Sequence, residues 1–183
     1  MAASFPGSVK SFGADRVDGE YIPASDMNDV RAEIVAVETA LLRVTKQRVT
    51  SGFAKTSDTT LANVTGLSVT VEAGRSYKFE AVLYTTSNVA GGVKAAMAGT
   101  ATATAIVYEG LATNAGTTTQ ARGAAMAAAV AAVTAVTAAL IVIRGTITVN
   151  AGGTLTVQFA QNASNGAAST VLVGSTLTVE DIG

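Results

Sequence analysis

The chain has 183 residues, with 12 lysines and arginines against 13 aspartates and glutamates and a formal net charge of −1. This balance gives no electrostatic basis for binding nucleic acid or an anionic membrane. Histidine and cysteine are both absent, which excludes disulfides, thiolate nucleophiles, histidine acid–base catalysis and zinc sites of the usual kind.

Residues 1–24 are predicted to form an extended arm, because they contain both prolines of the chain and show no periodicity. The opening also lacks the apolar run of about 7–15 residues that a secretory signal peptide needs. Apolar residues are nevertheless scattered through the segment, and a solvated linker rarely carries them. We therefore expect the arm to dock on another surface, chiefly through Phe5, Pro6, Val9 and Phe12.

Residues 25–48 are predicted to form a helix, because apolar residues recur there at heptad spacing. Asp26 and Asp29 lie in its predicted first turn, and Arg43, Lys46 and Arg48 lie in its predicted last turn. Both placements suit the helix dipole. The apolar stripe consists of Met27, Val30, Ile34, Val37, Leu41 and Val44.

The stripe has two interpretations. Its β-branched residues favour three strands over a simple dimer, and it is narrower than the apolar face of a helix that packs on a sheet. A core of small side chains also buries little area per residue, so burial between subunits would add stability. We predict a homotrimer joined by this helix. Packing of the helix on its own β-domain remains the alternative, because the stripe lasts less than three heptads.

Residues 49–183 are predicted to form an antiparallel β-sandwich of jelly-roll type with about eight strands. Apolar and polar residues alternate in three segments that contain glycine turns, which is typical of hairpins. The predicted hairpins are "GLSVTVEAGRSYKFEAVLY", "GTITVNAGGTLTVQFAQN" and "STVLVGSTLTVEDIG". Further strands are expected near 52–56, 59–64, 92–98 and 103–110.

The alanine-rich residues 123–143 do not show this alternation. Their 21 uncharged residues are long enough to cross a membrane,. Alanine drives insertion weakly, however, and the segment continues directly into the strand "LIVIRGTITV". We predict a loop or short alanine helix over 117–132 and a strand over about 134–149. The pattern does not decide between the loop and the helix, and it leaves the structure of 111–133 open.

Motifs for chemistry are largely missing. "DRVDGE" lacks the EF-hand spacing, and "VAGGVKAA" lacks the phosphate-loop pattern and is predicted to begin a strand,. The carboxylates Asp58, Glu72, Glu80 and Glu109 could pair only in space. We therefore predict no enzyme, no catalytic residue, no metal and no cofactor. Tyr84 and Asn88, at the loop 85–91, are the candidates for a ligand-binding tip.

The N-terminal "SFPGSVKSF" followed by "DRVDGEYIPASDMNDVRAEIVAVETALL" resembles a module of virion proteins from tailed bacteriophages. In that module an arm leads through a helix start, here Ala24, Asn28 and Glu33, into a trimer-forming helix. "TSDTTLANVTGLSVTVEAGRSYKFEAVLYTTS" and "IRGTITVNAGGTLTVQFAQNASNGAASTVLVGSTLTVEDI" resemble phage fibre and decoration domains. The family carries no catalytic residues.

The resemblance implies a homotrimeric head fibre or decoration protein on the virion, made in the bacterial cytoplasm. Its arm is expected to bind the major capsid protein or another virion protein, with the β-domain facing outward. A tail-fibre adhesin that binds a host surface glycan is the alternative. No nucleic acid or membrane partner is expected.

Overall fold

In the computed structural model, the described residues are 24–41, 43–114, 116–134 and 137–183. The chain divides into two compact units, Met1–Arg43 and Val44–Gly183. The predicted docking arm, with Phe5, Pro6, Val9 and Phe12, lies outside the described residues.

The first unit contains the helix α1 (Ala24–Leu41). The predicted helix over 25–48 therefore ends too late. Val44–Arg48 forms a strand instead, and it pairs antiparallel with the last strand of the chain, so that Val44 is opposite Glu180 and Arg48 is opposite Thr176. The sequence predicted a longer helix because Val44 continues the heptad spacing. Its local structure is decided instead by backbone hydrogen bonds between Val44–Arg48 and a strand far away in the sequence. No basic residue lies in the last turn of α1.

The second unit is built from antiparallel strands, which confirms the predicted β-sandwich class. There are more strands than the eight expected. The described residues form β1 (Val44–Arg48), β2 (Phe53–Lys55), β3 (Ala62–Val71), β4 (Ser76–Thr86), β5 (Val93–Ala98), β6 (Thr102–Asn114), β7 (Thr117–Gly123), β8 (Val130–Val133), β9 (Ala138–Ala151), β10 (Gly153–Ala160), β11 (Ser169–Val171) and β12 (Thr176–Asp181).

Two sheets carry these strands. The large sheet has the order β1-β12-β4-β9-β6-β7, and β11 joins it by pairing with β4 and with β2. The small sheet has the order β3-β10-β5-β8. Alternate residues of each long strand are buried, as in β4 and β9. The large sheet therefore has an inner face that belongs to the core and an outer face that meets solvent.

The three predicted hairpins are wrong, and for a common reason. β3 and β4 follow each other in the chain but lie in different sheets, and so do β9 and β10. β11 and β12 share the large sheet, yet each pairs with β4 rather than with the other. Alternation specifies which side of a strand is apolar, but it does not specify the neighbouring strand. In the first two cases the glycine turn crosses from one sheet to the other, so both arms bury their apolar sides in one core.

The loop or alanine helix predicted over 117–132 is largely replaced by strands, because β7 and β8 leave only 124–129 as a loop. β6 and β7 form a hairpin in which Asn114 is opposite Thr117, and β8 pairs with β5. The following strand, predicted from about residue 134, begins at Ala138. Among the described residues, no helix is both long enough and apolar enough to cross a membrane.

Tyr108 organises the core beneath this segment. Its hydroxyl donates its one hydrogen to the carbonyl of Ala128 (2.6 Å), and the carbonyl of Ala125 lies 3.1 Å away. Its ring meets Phe79 edge-on, with centroids 6.2 Å apart and an interplanar angle of 60°. Gly145 is the register partner of both aromatic residues. A Cβ at Gly145 would lie 2.5 Å from the Cβ of Tyr108, and a Cβ at Gly123 would lie 2.6 Å from the Cζ of its ring, so both glycines leave room for Tyr108.

Candidate interaction surfaces

The helix carries the predicted seam on an open side. The relative exposures of Met27, Val30, Ile34 and Val37 are 53%, 37%, 53% and 41% in the single chain. Half-buried residues, among them Ala32 and Ala36, lie on another side of the helix. Full burial of a side chain of this size is worth about 1.5–3 kcal/mol. The open stripe therefore represents a large unrealised stabilisation, which a partner could supply.

Two residues of the predicted seam, Val44 and Leu41, are not part of the exposed stripe that the structure describes. Val44 lies in β1 and belongs to the second unit, so it is not a helical seam residue. Leu41 is the last residue of α1, and its side chain lies outside what the structure describes. The described part of the seam is thus the four residues from Met27 to Val37.

The outer face of the large sheet carries a row of charges that the sequence did not reveal. Glu80 on β4 is opposite Arg144 on β9, Arg144 is opposite Glu109 on β6, and Glu109 is opposite Arg122 on β7. These four residues form what we call the charged row. Its signs alternate from one strand to the next, which is favourable for directly opposed cross-strand pairs.

Apolar residues flank the charged row on the same face. One step along the strands, Val82, Val142 and Leu111 are opposite one another and half-buried. One step further, Tyr84 is opposite Leu140, and both are exposed. The solvent face of an antiparallel sheet is normally polar. An apolar patch on it therefore marks a surface suited to binding another molecule.

Two shallow hollows lie on this face. One of about 730 Å³ is lined by the charged row together with Lys78, Val107 and Gln120. The other, of about 390 Å³, is lined by Tyr84, Leu140 and Leu172 among others. In the first hollow, Glu109 accepts hydrogen bonds from Gln120 and from Arg144, the latter at 3.4 Å. Glu109 is thus held in place by two neighbours, and the hollow presents a fixed carboxylate to a molecule that binds there.

The two residues of the predicted ligand tip have separate surroundings. Tyr84 is 51% exposed on the outer face, beside the smaller hollow. Asn88 lies beyond the end of β4, where its side-chain oxygen accepts a hydrogen bond from the amide of Ala90 at 2.9 Å. Its backbone carbonyl accepts from the amides of Gly91 and Gly92. Asn88 therefore shapes a turn, which is a common use of asparagine.

A buried polar cluster beside this turn was missed by the sequence reasoning. Gln161 is 0% exposed. Its Nε2 donates to the carbonyls of Asn165 (3.0 Å) and Ala167 (2.7 Å), and its Oε1 accepts from the amides of Asp58 (3.2 Å) and Asn165 (3.1 Å). All four hydrogen-bonding positions of the side chain are thus occupied. Gln161 joins two loops, and a lone glutamine in a polar segment gives no signal of this role.

The candidate carboxylates do not assemble into an acidic pair. Asp58 forms an ion pair with Lys55, Glu72 with Arg75, and Glu109 with Arg144. The hydrogen bond from Lys55, together with that from the Thr60 amide, lowers the pKa of Asp58 from 3.8 to about 2. Within the described residues, no group of three or more acidic side chains could hold a metal ion.

The predicted strand start at "VAGGVKAA" is confirmed, because β5 begins at Val93.

Comparisons with known proteins include two weak structural likenesses. No family model and no curated protein matches the chain. Among solved structures, the chain is similar to the infectious bursal disease virus VP2 subviral particle, at 14% identity and a TM-score of 0.21 over 76% of this chain. It is also similar to the structure of the infectious bursal disease virus Gx strain, at 11% identity and a TM-score of 0.18 over 76% of this chain. The chain spans 40% of the length of each of them, and superpositions with such TM-scores do not establish a shared fold.

Proposed function

We propose that the chain is a non-enzymatic structural protein of a virion, a homotrimeric head fibre or decoration protein of a tailed bacteriophage. The arm predicted over residues 1–24 anchors it to the major capsid protein or another virion protein, and the β-domain faces outward. The resemblance of the arm and helix sequence to phage virion modules supports the assignment to a virion. The β-sandwich is compatible with an outward-facing domain.

The observation that carries the proposal is the open stripe on α1. Its four described apolar side chains are all at least 37% exposed in the single chain. Their spacing places them at alternating seam positions of a heptad, where three helices bury them against one another. At about 1.5 Å per residue, the 18 residues of α1 make a stalk about 27 Å long,. Trimerisation would bury the stripe of each chain and orient three β-domains together.

Substitution of the seam tests the trimer. Ile34→Asp with Val37→Asp places six carboxylates in a three-chain seam, and burying each one without a partner costs several kcal/mol. We expect sedimentation velocity to show a trimer for the unaltered chain and a monomer for the double variant. Val35→Asp is the matched control, because Val35 is 59% exposed on the same helix but lies outside the stripe. An unchanged mass for the double variant would contradict the proposal.

Deletion of residues 1–23 tests the anchor separately. The truncated chain retains the helix and the second unit, so we expect it to form trimers with an unchanged unfolding temperature. It should fail to join particles when supplied in place of the full chain. Incorporation of the truncated chain at the normal level would contradict the anchoring role and leave the trimer standing.

A receptor-binding adhesin is the second candidate. The observation that favours it is Tyr84, an exposed aromatic side chain beside the hollow of about 390 Å³, since aromatic faces commonly pack against sugar rings. A glycan array probed with the full chain tests this function, with Tyr84→Ala as the control. Saturable binding that the substitution abolishes would favour the adhesin over the decoration protein.

A further inference from the structure

The two ends of the charged row are unsatisfied within one chain. Arg144 pairs with Glu109 in its centre. Glu80 and Arg122, at its ends, are exposed and make no ion pair within the described part of the chain. Four neighbouring strands about 4.8 Å apart place these end residues about 14 Å from each other, too far for a direct contact. Each of the two ends therefore presents an available charge to a partner.

The alternation of charge selects one way of packing this face on a copy of itself. A two-fold axis lying along the row would place each charge opposite its own copy, which is repulsive. A two-fold axis that runs parallel to the strands, midway between β9 and β6, instead reverses the order of the charged row in the second copy. Glu80 then faces Arg122 of the second copy, and Arg144 faces Glu109 of the second copy, so that every facing pair is attractive.

One apolar pair matches under the same axis. Val142 and Leu111 are register partners on β9 and β6, so each faces the other residue in the second copy. On the far side of the charged row, Thr146 and Val107 are partners in the same way. Val142 and Leu111 thus meet each other along the centre of the contact, whereas Val107 faces Thr146 and Val82 faces Gln120 of the second copy. The contact accounts for the half-buried apolar pair on the solvent side of the large sheet.

We propose that the outer face of the large sheet binds the same face of a second copy across this two-fold axis, as the lateral contact between neighbouring assemblies. The four strands and four outward rows span about 19 Å by 27 Å, or roughly 500 Å² on each copy. This area is at the lower limit for a specific interface. The contact is therefore weak in dilute solution and is strengthened where many copies are held side by side.

Two charge-reversed chains test the proposal. The full-length protein, at about 0.1–1 mM, is studied by sedimentation equilibrium and native mass spectrometry. Glu80→Arg alone and Arg122→Glu alone each create like-charge pairs across the axis, and each should weaken pairing at least about tenfold. An equimolar mixture of the two variants, one of them isotope-labelled, should pair about as well as the unaltered chain, because every hybrid contact joins opposite charges.

The matched control is Lys46→Glu. Lys46 on β1 is opposite Thr178 and continues the same row, but β1 lies beyond the four strands that overlap. Its reversal should leave pairing unchanged, and the unfolding temperatures of all variants establish that each is folded. The readout is association beyond whatever assembly the helix forms, so it is independent of the trimer. Absence of pairing in the unaltered chain, retention in either single variant, or failure of the mixture to pair would overturn the proposal.

Discussion

Gly145 provides a direct test of the core packing that holds the outer face in register. A Cβ at this position would lie 2.3 Å from the carbonyl oxygen of Val107 and 2.5 Å from the Cβ of Tyr108. Favourable contacts between heavy atoms begin near 3.5 Å, so β6 and β9 would have to separate locally by about 1 Å. The obstacle is largely backbone, which cannot turn aside as a flexible side chain can.

We expect Gly145→Ala to destabilise the protein by about 2–3 kcal/mol, in the upper range for overpacked sites. For a chain of this size that corresponds to a fall of about 4–12 °C in the unfolding temperature. Differential scanning calorimetry measures it. Gly166→Ala is the control, because a Cβ there meets nothing within 4 Å, and the expected change is below about 0.5 kcal/mol. Equal unfolding temperatures for the two variants would refute the packing argument.

Three further predictions concern the polar groups of the second unit. Gln161→Leu should lower the free energy of unfolding by about 2–4 kcal/mol in urea titrations, because four hydrogen bonds of this buried side chain to the backbone of Asp58, Asn165 and Ala167 are lost,; an unchanged transition would contradict this role. Because the pKa of Asp58 is lowered to about 2, its contribution to stability is present above pH 4 and is lost as the pH falls through 2. Asp58→Asn should therefore show a weaker acid dependence of the unfolding temperature over that interval. Tyr108→Phe should cost about 1–3 kcal/mol through the loss of its bond to Ala128. Burial raises the pKa of Tyr108, so above pH 10 the unfolded chain loses a proton that the folded chain retains, and the variant should lose less stability than the unaltered chain as the pH rises into the alkaline range.

The candidate surfaces differ in how far the sequence could reveal them. The stripe on α1 is local, because four apolar residues within eleven positions share one side of a helix. The charged row is not local, because Glu80, Glu109, Arg122 and Arg144 are scattered over 65 positions and meet only through strand register. The predicted tip at Tyr84 and Asn88 joined two neighbours in sequence whose surroundings proved to be different.

The sequence by itself determined the fold class, the positions of β4, β9 and β10 and the buried sides of β3, β4 and β10, because alternation with period two is a local property. Only the tertiary structure decided which strands are neighbours. The pairing of Tyr77 with Ile147 or of Val44 with Glu180 depends on backbone hydrogen bonds between segments far apart in the chain. Those bonds turned two expected hairpins into crossings between the sheets, placed both arms of the third along β4, ended the helix at Leu41, and assembled the charged row.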